Sequence, residues 1–392
     1  MNRISIACKQ QMTYYRQMAD QHGTPLLILD CRKVLSQYQA LQKALPNVSL
    51  YYAIKSMPDE AILRTLVDAG AGFDVATSRE IELLQPLADS PRSMIHTHPV
   101  KRDVDIRAAL RYGCTTFVID NVWELEKFVP FRHRVGLLLR IGFRAGNAVV
   151  DLSRKFGCHV DEAPLLIRRA KSLGLHVKGL SFHVGSQCAT GEHHARAIRH
   201  CRDMMADASI GEGAPLSILD IGGGFPVDYL EPVTAIDEFC EPIRQALSEL
   251  PGNIQIWAEP GRFLSAPAGT AVSKVMGKAR RNGVMWYYLD DGLYGSYSGQ
   301  LFDHMSYPLQ VFSDLNEREA AVLAGPTCDS IDVIAEELEL PPLDIGDLVI
   351  GHRMGAYTAA SATDFNFFER AKIVAVNAGR GRDSDPVFCA TA

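Results

Sequence analysis

The chain has no apolar run long enough to cross a bilayer, and none of signal-peptide length between Met1 and His22. It also has no Cys-x-x-Cys pair. Its nine cysteines are scattered through a chain rich enough in core residues to fold without disulfides. There is no long basic run, and Asp and Glu outnumber Lys and Arg by 46 to 40, for a net charge of −6. A phosphate backbone is therefore a poor partner. Internal repeats and low-complexity tracts are absent too. What remains is 392 residues, 47% apolar and 22% charged, enough for one large domain and a smaller one. The expectation is a reduced, cytoplasmic protein that binds neither nucleic acid nor membrane.

Short apolar runs bounded by turn residues alternate with amphipathic, helix-length segments. Eight such runs begin at Ser49, Phe73, Ser93, Thr116, Val135, Val177, Ser217 and Ile254. Mostly apolar, they suit strands buried on both faces of a parallel sheet. Between them Thr77-Ser78-Arg79-Glu80 has the form of a capping box, Pro86 is a natural stop, and Ala235 to Leu250 predicts one long helix. Asp30 can cap a helix reaching Leu45. The pattern predicts an α/β fold, a (β/α)8 barrel over residues 30–265, with an open doubly wound sheet as the alternative. Beyond Arg262 strand-like runs prevail with few helices, predicting a mostly β domain from residues 266–392 joined by 1–29.

In a barrel of this kind the chemistry gathers at the carboxyl ends of the strands. Tyr51-Tyr52-Ala53-Ile54-Lys55 delivers a lysine to the end of strand one, and Asp74 lies in strand two. His183 ends strand six, Gly222-Gly223-Gly224 follow strand seven, and Glu259 ends strand eight ahead of Gly261 and Arg262. Taken singly, each has a plain reading: a solvated cation, a packed histidine, a tight turn. Together they read as a lysine-tethered pyridoxal phosphate site. Lys55 would supply an amine, and Glu259 would keep a pyridine nitrogen protonated. The glycine run, with Ser186 and Arg262, would cradle a phosphate. The run lacks the G-x-G-x-x-G spacing of a dinucleotide fingerprint. His96 and His98 have no third ligand at a convincing spacing, so no metal is expected.

These segments resemble the fold-type III pyridoxal-phosphate decarboxylases, ornithine decarboxylases in particular, from about Pro25 to Phe368. By matching motif the resemblance makes Lys55 the lysine that carries the cofactor and His183 the residue stacked on its ring. Asp74, Ser186, Gly223, Gly224, Glu259, Gly261, Arg262 and, from the β domain, Tyr357 become further cofactor contacts. Cys328, in Gly325-Pro326-Thr327-Cys328-Asp329, corresponds to the cysteine that returns a proton to Cα. Asp303 and Asp329 correspond to the pair that holds a distal ammonium group. In this family Cys328 and Asp329 would enter the partner subunit's site, which implies an obligate homodimer with shared active sites.

There are two departures. Phe302 precedes Asp303 where a tyrosine is usual, and Asp151-Leu152-Ser153-Arg154 stands where the family has Arg-Leu-Ser-x, moving the arginine to the neighbouring position. The implied reaction is decarboxylation of a basic L-amino acid, L-ornithine first. L-lysine or both substrates, then diaminopimelate or a larger siderophore-type amino acid, are alternatives. A racemase would need a tyrosine where Cys328 lies. A non-catalytic regulatory paralogue would not need Lys55, His183, Glu259, Arg262, Cys328 and Tyr357 together.

Overall fold

The computed structural model describes residues 4–87, 93–143, 148–150, 154–207 and 215–379. The departure at Asp151–Ser153 lies outside the described residues, as does Ala208, the last residue of a helix that the sequence pattern predicts from His193.

Eight parallel strands close into a barrel. They are Val48–Ala53, Gly72–Val75, Met94–His96, Thr116–Ile119, Gly136–Ile141, Val177–Phe182, Ile218–Asp220 and Gln255–Ala258. Each hydrogen-bonds to the next, and Ile256–Ala258 pair with Val48–Leu50 to shut the ring. The strands are largely buried on both faces, as their mostly apolar sequences require. Ile95, Val118, Leu138, Ile218 and Trp257 form a packed cluster with Tyr51 against it. Strand closure is tight enough that a Cβ on Gly179 would stand 2.0 Å from the carbonyl oxygen of Ile218.

Helix starts follow local chemistry. The Asp59 carboxylate accepts the Ala61 N–H at 2.9 Å, and the Asn121 amide oxygen accepts that of Glu124 at 2.9 Å. The segment expected as one helix to Leu250 is instead two, Ile236–Phe239 and Glu241–Ser248. Pro242 explains the break, because it has no N–H for a continuing ladder and fits only a first turn.

The β unit is a nine-stranded sheet around the long strand Gly269–Arg281. That strand pairs antiparallel with Leu26–Asp30, with Leu348–His352 and with Val284–Leu289. Asn282 and Gly283, both at positive φ (50° and 85°), make the two-residue turn into Val284–Leu289, as hairpin twist demands. Three strands not expected from the sequence, Ile4–Ile6, Leu309–Val311 and Val333–Leu340, complete the sheet. A helix over Lys9–His22, likewise not expected, packs Met12 and Ala19 on Leu26, Ile28, Val272 and Ile350.

By contact density the compact units are 1–34, 228–232 and 265–392, and 35–227 with 233–264. The first division falls inside the helix Cys31–Ala44 rather than ahead of it.

Candidate cofactor and substrate site

The barrel unit gathers Lys55, Arg262 and several carboxyl groups at and just past its strand ends. Lys55 does not end the first strand; that strand stops at Ala53, and Lys55 sits on the 3-10 turn Ile54–Ser56. The turn forms because the Ser56 hydroxyl folds back to the carbonyl of Ala53 at 2.9 Å, ending the ladder. His183 and Glu259 likewise stand one residue past their strands, Val177–Phe182 and Gln255–Ala258.

Lys55 Nζ donates to Asp74 Oδ2 at 2.7 Å; the lysine side chain is 45% exposed and that of the aspartate 1%. Asp74 also accepts the Thr97 hydroxyl on Oδ1. Glu259 is buried near both Asp220 and Asp74. Burial first, then those two carboxylates, hold its carboxyl well above the ordinary range, so without a cationic partner it keeps its proton. Glu80 caps its helix through Oε2 on the Ala76 N–H at 2.5 Å, and burial raises it as well.

His183 is half-buried, and its Nδ1 accepts the Gly185 N–H at 3.1 Å. Burial and then the charges of Arg140 and Lys55 push it well below the usual imidazole range, so it is neutral.

The glycine run lies beside it. A Cβ on Gly223 would come within 2.7 Å of the Glu259 carbonyl and 3.2 Å of His183 Nε2. Gly224 adopts φ +98°, and a Cβ there would meet the Gly185 carbonyl at 2.5 Å. The loop is held from behind. Asp220 Oδ1 accepts the Gly222 N–H at 3.0 Å, and His194 Nε2 lies 2.9 Å from the Gly223 carbonyl. Close by, the buried guanidinium of Arg262 reaches the Ser186 hydroxyl at 3.2 Å. Gly261 is packed against Ser56 and Ala53, where a Cβ would stand 3.1–3.2 Å from each Cβ.

In the β unit, Asp303 is half-buried at the carboxyl end of the helix Gly299–Phe302, and Phe302 is 58% exposed. The Ser298 hydroxyl ties that helix to the Thr358 carbonyl at 2.9 Å, next to Tyr357, which has a positive φ of 53°. Cys328 is exposed, and its N–H donates to Asn366 Oδ1 at 3.0 Å. The Tyr294 hydroxyl donates to Asp329, whose other oxygen accepts the Ile331 N–H at 3.2 Å. The Tyr294 bond, foremost, keeps the Asp329 carboxyl below the ordinary range and pushes the tyrosine up to about 12. Tyr294 also stacks on Phe365, centroids 4.6 Å apart.

Residues 31–266 match the family described as pyridoxal-dependent decarboxylase, pyridoxal binding domain. The lysine/ornithine decarboxylase of Selenomonas ruminantium is 36% identical over 360 residues, 92% of this chain and 91% of that protein. The chain belongs to the pyridoxal-dependent decarboxylases.

Two solved structures of the Vibrio vulnificus lysine/ornithine decarboxylase, one complexed with putrescine and one with cadaverine, are 50% identical to it. Each match covers 95% of this chain and 100% of the other, with TM-scores of 0.90 and 0.91. Antizyme inhibitor 2 of Xenopus laevis is 33% identical over 365 residues, 88% of this chain and 79% of that protein.

The mouth of this decarboxylase's barrel fits its pyridoxal phosphate. A buried guanidinium and a glycine cradle that no side chain can enter suit the phosphate. A buried, proton-holding carboxyl suits a ring nitrogen, and a half-exposed amine suits the aldehyde. Thr97, His194, Asp220, Glu80 and Arg140 were not singled out from sequence, although Arg140, interrupting Leu137-Leu138-Leu139, is a polar residue in an apolar strand that could have been. Among the described residues no group of three metal-binding side chains forms, and no helix is long and apolar enough to cross a membrane.

Proposed function

We propose that this decarboxylase acts on a basic L-amino acid, converting L-ornithine to putrescine and carbon dioxide. The observation that carries this reading is the Asp329 carboxylate, held ionised by Tyr294 immediately beside the exposed Cys328 thiol. A fixed negative charge next to a proton donor selects a substrate whose far end is a cation.

Pyridoxal phosphate, when bound, supplies an aldehyde for an amine and a protonated ring that accepts the electron pair left by a departing carboxylate. The residues divide the remaining work. Lys55 would tether the cofactor and give it up to the substrate amine. Glu259 would hold the ring nitrogen protonated, His183 would lie against the ring as a neutral imidazole, and Asp74 orients Lys55. Arg262, Ser186, Gly223, Gly224, Gly261 and Tyr357 hold the phosphate end. Cys328 Sγ–H returns a proton to Cα, and Asp303 and Asp329 grip the distal ammonium.

We place Cys328 and Asp329 in the site of a second copy, making a homodimer with shared sites. Supporting this, Cys328 is exposed and lies in the same unit as Phe365, Phe367 and Phe368, which are 40%, 93% and 41% exposed. The scattered cysteines support a cytoplasmic setting. L-lysine is the second reading, because the Vibrio vulnificus structures at 50% identity carry both putrescine and cadaverine. One methylene is worth only about 1–3 kcal/mol of discrimination, which Phe302 beside Asp303 could readily shift.

The test is carbon dioxide release by the cofactor-loaded protein with ornithine, lysine, diaminopimelate and arginine at matched concentrations. Preference for ornithine is expected. Preference for lysine would move the specificity outward, and release from none of ornithine, lysine and arginine would overturn the basic-substrate reading.

A further inference from the structure

Thr97 stands one residue past the third barrel strand, Met94–His96, and is buried. Its N–H donates to the Val75 carbonyl at 3.1 Å, which registers it beside the second strand and sets its hydroxyl over Asp74. The Asp74 carboxylate thus has two kinds of donor: Lys55 on Oδ2 at 2.7 Å and the Thr97 hydroxyl on Oδ1. The two differ in what happens when Lys55 reacts. An ammonium that gives up its proton stops being a strong partner, and a buried carboxylate left with no donor is costly. A hydroxyl on the other oxygen remains, so the carboxylate depends less on its cation.

We propose that Thr97 is a positioning residue that acts through Asp74, easing the loss of a proton from Lys55 Nζ and so speeding cofactor capture. The proton passes to solvent, which the half-exposed lysine side chain can reach. The amine nitrogen then bonds to the aldehyde carbon, and its two hydrogens leave with the aldehyde oxygen as water. The inference rests on Lys55 being the tether. The other titratable groups that act on this pair are Glu80, His96, His98, His183, Asp220 and Glu259, all of which stay in place in the Thr97 variants.

The experiment follows cofactor uptake by the cofactor-free protein, by absorbance, across pH. The wild type is compared with Thr97→Val, Thr97→Ala, Thr97→Ser, Asp74→Asn and the Asp74→Asn/Thr97→Val double variant. Losing one hydrogen bond to a charged group is expected to slow uptake at neutral pH by about tenfold and to move its pH profile about one unit alkaline. Thr97→Ser should stay within about twofold of wild type, and Thr97→Val should add nothing in the Asp74→Asn background. Thr97→Ala, also without the hydroxyl, replaces Thr97→Val if the valine disturbs folding, which thermal melting of the cofactor-free protein reports. A hydroxyl-free variant with the wild-type profile would overturn the inference, as would a serine variant as slow as valine or an equal cost without Asp74. Borohydride reduction and peptide mapping separate the two layers. Cofactor fixed on Lys55 with unchanged kinetics sinks only the role of Thr97, whereas cofactor fixed elsewhere sinks the tether.

Discussion

Asp74, Asp220 and Glu259 bring three carboxyl groups to the barrel mouth around Lys55, and burial sorts them. Asp74 has the ammonium and a hydroxyl, Asp220 has a backbone N–H, and Glu259, the most strongly raised, keeps its proton. A cationic ring nitrogen would be a partner that lets Glu259 ionise at neutral pH. Glu259→Gln keeps the shape and removes that charge. With a charge-assisted hydrogen bond worth about 1.5–3 kcal/mol, kcat/KM should fall by roughly 10- to 100-fold, read in a steady-state assay with the cofactor saturating. Near wild-type turnover would show that Glu259 does not hold the ring nitrogen.

At the scale of elements, the loop Gly222–Gly224 is built so that no side chain fits. Gly224→Ala would place a methyl 2.5 Å from the Gly185 carbonyl at φ +98°, so the backbone must shift. A backbone outlier of this kind costs on the order of 1–3 kcal/mol. The expected result is cofactor affinity at least about tenfold weaker in an equilibrium titration, with the barrel still folded. The eight barrel strands were legible in sequence because each is an apolar run closed by turn residues, and periodicity reports that directly. Val333–Leu340 was not, since Glu336, Glu337 and Glu339 mask its alternation. Neither was the break at Pro242, which interrupts an otherwise helical pattern. Lys55, His183, Glu259 and Arg262 could be found because motif spacing puts them at strand ends. Thr97 and His194 could not, because their partners, Asp74 and Gly223, lie 23 and 29 residues away and only the closed barrel brings them together.

For the whole molecule, buried histidines set the acid limit. Burial lowers His96 to about 3 and His194 to about 4, from an unfolded value of 6.5. Below 6.5 the unfolded chain takes up protons that the folded barrel refuses, so stability falls as pH drops. The loss should run from about 6.5 down to about 4 for His194 and to about 3 for His96, at up to roughly 1.4 kcal/mol per pH unit for each. Denaturant titrations of the cofactor-free protein at successive pH values check it, and replacing His194 with Phe should flatten the slope by one proton. The shared-site dimer has its own test. Lys55→Ala and Cys328→Ala proteins, each nearly inactive, should regain activity when mixed, because one site of a mixed dimer has both residues intact. No recovery after verified subunit exchange would return Cys328 to its own subunit's site.

The most direct measurement is the identity of the residue that carries the cofactor. The loaded protein is reduced with borohydride, digested and mapped by mass spectrometry. The structure predicts the pyridoxyl group on Lys55, with the Lys55→Ala protein unlabelled and inactive. Labelling of another lysine, such as the buried Lys101, or retained labelling and turnover in Lys55→Ala, would contradict the site described above.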